Sequence, residues 1–244
     1  MKIAVALHIF YDDMWEEIKD KLSNMTQPYK LYVNLVEGYT DNSIIEKIKT
    51  FKNDSVIIIT ENRGVAIGGF LRLFKIIDSD TDLLLTLHTK KSVGLPNKPS
   101  DMVRVYGYES AVVKGKDWFN KIIDGLLSDN KKVKDIISKF ENDDNCGMIG
   151  YSNEETFVGA NENILIEMMK VFNLKEEVFN SNFVDGAMFW VRYNIIRKYF
   201  TNDMINYLLK IIPKGYLNEP SINHSIERVF GYIIKNEGKK IIVI

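Results

Sequence analysis

The sequence predicts an α/β fold: a mostly parallel sheet flanked by helices on both faces. Two observations predict it. First, four apolar runs in the opening 88 residues read as strands, separated by segments of helical spacing. That alternation builds parallel sheets through crossover helices. Second, two of the runs stop abruptly in polar and basic residues. Val56-Ile57-Ile58-Ile59-Thr60 ends in Glu61-Asn62-Arg63-Gly64, and Asp82-Leu83-Leu84-Leu85-Thr86-Leu87 ends in His88-Thr89-Lys90-Lys91-Ser92. Open α/β sheets bind ligands at the carboxyl ends of their strands. The basic residues there point to an anionic ligand, with phosphate the first candidate.

Taken in order, residues 3–10 read as the first strand. Residues 13–23 carry Met14, Trp15, Ile18 and Leu22 at helical spacing. Residues 29–36 are a second strand. Residues 42–52 form a helix with Ile44, Ile45 and Ile48 inward and Asp41 or Asn42 as its cap. Residues 55–60 are the third strand, 66–77 a helix opened by Gly68-Gly69, and 82–88 the fourth strand. Residues 93–115 then lose any clear period and read as a long irregular connection, of the kind used for lids and binding loops. Helices are expected at 116–127 and 130–141, a strand at 146–151 and a helix at 161–172. A strand at 186–192, helices at 194–210 and 220–236, and a last strand at 240–244 complete the chain.

The composition narrows the function classes. Apolar residues make up 45% of the 244 and charged residues 27%, a globular balance. The formal net charge of -1 gives no general attraction to nucleic acid, so a basic site must be local. The single cysteine, Cys146, cannot form an internal disulfide, fits a reducing compartment and reads as a small buried residue. No signal peptide is evident, and no apolar stretch approaches the ~20 residues that span a bilayer. A soluble, cytoplasmic protein is expected, with peripheral membrane contact still compatible.

Histidine is scarce: His8 and His88 fall at strand ends and His224 at a polar helix start. His-pair and Cys-His zinc spacings are both absent from the sequence, so a structural zinc site is not expected and no residue is assigned as a metal ligand. Lys90 shares a strand face with His88 and is preferred to Lys91 as the point charge on a phosphate. Asn62-Arg63-Gly64 precedes a glycine-containing helix start, where backbone approaches anions closely. The spacing is neither Gly-x-Gly-x-x-Gly nor a Walker motif. Asp185, Glu219 and Glu227 are the carboxylates near the later strands, each of which reads first as an ordinary surface or cap acid and second as a general base. Trp190 reads mainly as core, with stacking on a sugar ring as its functional alternative.

Five segments occur in order with characteristic spacing: His8-Ile9-Phe10-Tyr11, Asn62-Arg63-Gly64, Leu87-His88-Thr89-Lys90-Lys91-Ser92, Gly186-Ala187-Met188-Phe189-Trp190-Val191-Arg192 and His224-Ser225-Ile226-Glu227-Arg228-Val229-Phe230-Gly231. Together they resemble the rhamnan synthesis protein F family of polysaccharide pathways, over nearly the whole chain. The resemblance implies a GT-A-like, Rossmann-like glycosyltransferase domain spanning 1–244, with a nucleotide-binding half at 1–92 and an acceptor-side half at 93–244. It implies transfer of a sugar, rhamnose by family habit, from a nucleotide-diphosphate donor such as dTDP-rhamnose to a glycan hydroxyl. His8, Tyr11 and Glu37 would border the base and ribose, and Asn62, Arg63, Gly64, His88 and Lys90 the donor phosphates. Asp185 is the first choice for general base, with His224 and Glu227 in reserve and Trp190 and Arg228 on the acceptor side.

Two departures from the family pattern stand out. In a GT-A fold the fourth strand normally ends in Asp-x-Asp, which holds a divalent metal. Here the position reads His88-Thr89-Lys90, so the expectation is metal-independent transfer, with manganese or magnesium not excluded. Trp118-Phe119 also stands where tryptophan-arginine is expected. A non-catalytic nucleotide- or glycan-binding module on the same fold is the alternative.

Overall fold

Continuous apolar sequence on both faces is what makes the central strands strands. β1 (Ile3–Ile9) is buried along its whole length, as is β4 (Leu83–His88), the pattern of strands covered on both sides. A computed structural model describes residues 1–91, 94–95, 98–99, 108–151, 161–179, 183–217 and 220–244. After β1 a 3₁₀ turn leads into α1 (Trp15–Leu22), followed by β2 (Tyr29–Val36), α2 (Ser43–Phe51), β3 (Val56–Thr60), α3 (Val65–Phe74) and β4. A short antiparallel pair, β5 (Gly94–Leu95) and β6 (Lys98–Pro99), precedes α4 (Tyr108–Leu127) and α5 (Asn130–Asn142). The remainder is β7 (Cys146–Gly150), α6 (Glu162–Val171), β8 (Phe189–Arg192), α7 (Tyr193–Tyr199), α8 (Asn202–Ile211), α9 (Ile222–Asn236) and β9 (Lys240–Val243).

Seven strands form one sheet in the order β3-β2-β1-β4-β8-β7-β9. Only β8 runs antiparallel to its neighbours, β4 and β7. Strands from residues 1–92 and from 93–244 thus share one sheet. This is the mostly parallel α/β layout, flanked by helices, expected from the sequence. The chain builds outward from β1 to β2 and β3, then returns to place β4 on β1's other side. That reversal opens a crevice at the carboxyl ends of β1 and β4, where such sheets bind ligands. Even-numbered residues of β1 face a core made with α3, α6, α7, α8 and α9, and odd-numbered residues face one made with α1, α2, α4 and α5.

The structure corrects several expectations. Residues 93–115 are not one irregular connection, because α4 begins at Tyr108, well ahead of residue 116; positions 92–93, 96–97 and 100–107 lie outside the described residues. The helix expected over 194–210 is two helices, and Thr201 starts the second by accepting the Met204 N–H on its hydroxyl at 3.3 Å. The strand expected over 186–192 begins only at Phe189. Gly186 and Ala187 before it have φ of 72° and 52°, a left-handed turn that no strand accommodates. Of the two candidate caps for α2, Asp41 serves: its Oδ1 accepts the Ser43 N–H at 2.7 Å. Cys146 is fully buried, and burial pushes its thiol up to about 11.

Candidate active site

Thr89 closes the bottom of the crevice. Its N–H donates to the His8 carbonyl at 3.1 Å, and its hydroxyl oxygen accepts the N–H groups of Phe10 and Tyr11, each at 3.0 Å. One side chain therefore fixes the chain leaving β1 against the chain leaving β4. Tyr11 stays half-exposed above it, edge-on to Phe10 at 4.8 Å, with the Lys91 ammonium 5.3 Å from its ring.

His88, Lys90, Asp185 and Glu227 come together on the β4 side. The His88 ring is buried, with Nε2 2.6 Å from the Gly186 carbonyl and Nδ1 3.1 Å from the Thr89 carbonyl. Burial, with Lys90 adding to it, holds its pKa down to about 4, so the ring is neutral and carries one N–H. The shorter contact assigns that proton to Nε2, donating to Gly186. On its other side the Gly186 N–H donates to Glu227 Oε1 at 2.5 Å. Glu227 sits in a recess where burial pushes its carboxyl up to about 6, against the lowering pull of Arg228 and Lys90. Lys90 lies beside it, its ammonium 5.7 Å from the Trp118 ring. Burial lowers the Lys90 pKa and the charge of Glu227 raises it. Asp185 adjoins through its backbone, its N–H donating to the Tyr151 carbonyl at 2.9 Å. A carboxylate poised near neutrality beside a cation is the pairing that proton transfer and anion stabilisation need.

A buried polar row continues across the sheet. His8 stands in register with both His88 and Asn34. Its Nδ1–H donates to Asn34 Oδ1 at 2.8 Å, while the Asn34 amide donates to Thr60 Oγ1 at 2.7 Å. Burial holds the His8 pKa down to about 3. Gly69 of α3 passes over this ring so closely that a Cβ there would lie 2.2 Å from His8 Nδ1.

Other residues fall elsewhere. β3 is the sheet edge, three strands from β4 and so about 14 Å away. The Arg63 guanidinium donates to Glu61 at 2.7 Å and to the Ile212 carbonyl at 2.6 Å. It is a tether for the turn, not a neighbour of His88 and Lys90. Arg63 and then Lys214 hold the Glu61 pKa down to about 2. Gly64, at φ 74°, starts α3 in a conformation that favours glycine and packs against Ile212. The Asn62 carbonyl accepts the Gly215 N–H at 2.8 Å. Glu37 is exposed at the end of β2. Trp190 is wholly buried, its indole N–H directed at the Leu126 carbonyl, so a sugar cannot stack on it. His224 Nδ1 lies 2.7 Å from the Ser221 hydroxyl; Arg228, near enough for its charge to act on Glu227, donates to the His224 carbonyl at 2.8 Å with its guanidinium over the Phe183 ring. Glu219 lies outside the described residues. Sequence reasoning passed over Thr89, Asn34 and the Gly186 peptide; a buried asparagine within the apolar run 31–36 was the one signal in plain view.

The end of β4 does not suit a hard cation. Magnesium and manganese take oxygen ligands, whereas this strand end offers an ammonium and an imidazole whose nitrogens both face backbone carbonyls. Among the described residues, no group of three or more His, Cys, Asp or Glu is arranged to hold a metal.

The sequence pattern of the family described as rhamnan synthesis protein F matches residues 1–239. The chain belongs to the rhamnan synthesis protein F family. Two relatives, each called uncharacterized protein WxcX and from two strains of Xanthomonas campestris pv. campestris, are 24% identical over 247 residues and cover 98% of the chain. The chain spans 32% of their length, about a third. The crystal structure of S. aureus TarS 1-349 overlays with a TM-score of 0.46 at 10% identity, covering 95% of this chain and 55% of that one. In this rhamnan synthesis protein F member, four of the five family segments supply residues at the β1–β4 crevice, and the fifth, Asn62-Arg63-Gly64, sits at the sheet edge. Among the described residues, no helix is long and apolar enough to cross a membrane.

Proposed function

We propose that this chain is a glycosyltransferase domain that moves a sugar, rhamnose by family, from a nucleoside diphosphate to a glycan hydroxyl. The observation that carries this reading is the placing of Lys90 and Glu227 at the sheet's switch point, each within reach of the other's charge, with Glu227 held by the Gly186 N–H at 2.5 Å and Lys90 5.7 Å from the Trp118 ring. The donor diphosphate lies against Lys90, with base and ribose reaching toward Tyr11 and Glu37. The acceptor hydroxyl attacks the anomeric carbon and passes its proton to Glu227. The bond from that carbon to the diphosphate oxygen breaks, and the nucleoside diphosphate leaves with the electron pair, its charge offset by Lys90. Glu227 displaces Asp185 as first choice for the base, because its environment raises its proton affinity to the range a base needs. With an ammonium in the metal position, transfer proceeds in EDTA.

The test is hydrolysis or transfer of dTDP-rhamnose by the purified chain, beside titrations with dTDP, UDP and GDP. A nucleoside diphosphate should bind, and Lys90→Ala should weaken it about 10–100-fold, the loss of one charge-assisted contact. Binding without turnover would favour a non-catalytic nucleotide module. Strict dependence on manganese would overturn the role given to Lys90.

A further inference from the structure

We infer that His88 is a positioning residue: it holds the Glu227 carboxylate in place through the Gly186 peptide and does not itself touch the donor. The inference rests on the reading of Glu227 as the base. Both backbone polar groups of one residue are used at once, the carbonyl of the peptide after Gly186 and the N–H of the peptide before it. The Gly186 carbonyl accepts from His88 Nε2 at 2.6 Å, and its N–H donates to Glu227 at 2.5 Å. Residue 186 must be glycine for this to happen. Its φ is 72°, and a Cβ would lie 2.4 Å from the Trp118 ring. The Thr86 hydroxyl bonds to the Ala187 carbonyl at 2.9 Å, which secures the next residue of the turn from the same strand. β4 therefore places the turn, and the turn places the carboxylate.

The imidazole has no nitrogen left for a diphosphate, since its N–H is given to Gly186 and its second nitrogen faces the Thr89 carbonyl. Charged groups acting on Glu227 are Arg228, Lys90 and Asp185. A neutral His88 adds none, so its influence travels through the backbone of Gly186, across the Cα that joins the two peptides. Losing the clamp loosens the Gly186 N–H, which favours the ionised carboxylate, and the proton affinity of Glu227 rises.

Three variants test this: His88→Asn, too short to reach Gly186; His88→Leu, without a donor; and His88→Gln, with an amide N–H at similar reach. The readouts are the Glu227 carboxyl titration by carbon-13 NMR, assigned with Glu227→Gln, and kcat and KM for dTDP-rhamnose hydrolysis. His88→Asn and His88→Leu should raise the titration midpoint by half a pH unit or more. They should lower kcat at least tenfold with less than a twofold change in KM, and His88→Gln should recover kcat to within threefold. An unmoved midpoint in the folded loss variants, or a large KM rise with kcat preserved, would overturn the inference. The NMR midpoint holds apart the two failures: if Glu227→Gln keeps full turnover the base assignment falls, while a shifted midpoint still establishes the clamp.

Discussion

In the proposed mechanism Glu227 and Gly186, joined by a 2.5 Å hydrogen bond, carry most of the chemistry. A carboxylate at the recess wall is raised toward neutrality by burial, and a backbone N–H keeps one of its oxygens oriented. Gly186→Ala puts a side chain where φ is 72° and the Trp118 ring already stands. It should cost about 2–3 kcal/mol in urea denaturation, from left-handed strain and the clash together, with turnover falling alongside. The contrast with Asp185 shows what the sequence could and could not say. Both acids are visible in it, and both lie near the site. Only the fold shows that Glu227 meets the Gly186 N–H and is desolvated, and such contacts are not written in spacing. Trp190 teaches the same point in reverse: alternation placed it correctly on a strand, but only the strand's central position in the sheet buries it.

At the level of elements, the four opening strands were legible because apolar runs flanked by amphipathic helices have one economical solution, a parallel sheet. The ends of β1 and β4 stood out in the sequence because polar residues interrupt those runs, and the fold sets the two ends side by side. Their fastening was not, since it depends on Thr89, a residue with no charge and no motif. Thr89→Val leaves the Phe10 and Tyr11 N–H groups without their acceptor. The expected loss is about 1–3 kcal/mol of stability, measured by chemical denaturation, with weaker dTDP binding in the same variant. Arg63 illustrates the opposite difficulty. Its basic charge and helix-start position predicted a phosphate contact, but strand order sets β3 at the sheet edge and Glu61 takes the guanidinium. Parallel order across four strands follows from crossover geometry, which the local sequence does not reveal. The split between α7 and α8 was readable only as a threonine cap, hidden within a helical apolar pattern.

For the molecule as a whole, the buried polar row gives the fold a pH dependence. His8 and His88 have folded-state pKa values of about 3 and about 4, below the ordinary 6.5. The unfolded chain takes up protons that the folded chain refuses. Their contribution is complete above pH 6.5 and is lost as pH falls toward 4 and then 3, at about 1.4 kcal/mol per pH unit for each histidine. Glu227, raised to about 6, opposes this with one proton between pH 6 and its ordinary 4.5. The histidines outnumber it, so stability should fall on acidification below pH 6. Denaturation midpoints between pH 7 and 4.5 check the slope, and His8→Asn, which keeps the hydrogen bond to Asn34, should leave it nearly flat between pH 6 and 4.5, where His88 and Glu227 then cancel.

The site's own titration falls at the upper edge of that acid region, so each rate is read at a pH where denaturation shows the protein folded. The most direct measurement is the pH dependence of kcat for dTDP-rhamnose turnover in wild type and Glu227→Gln. Wild-type kcat should rise tenfold per pH unit to a plateau above about pH 6, and Glu227→Gln should fall by about 10²–10⁴-fold with that limb gone. A Glu227→Gln protein with wild-type turnover and an unchanged acid limb would contradict the account.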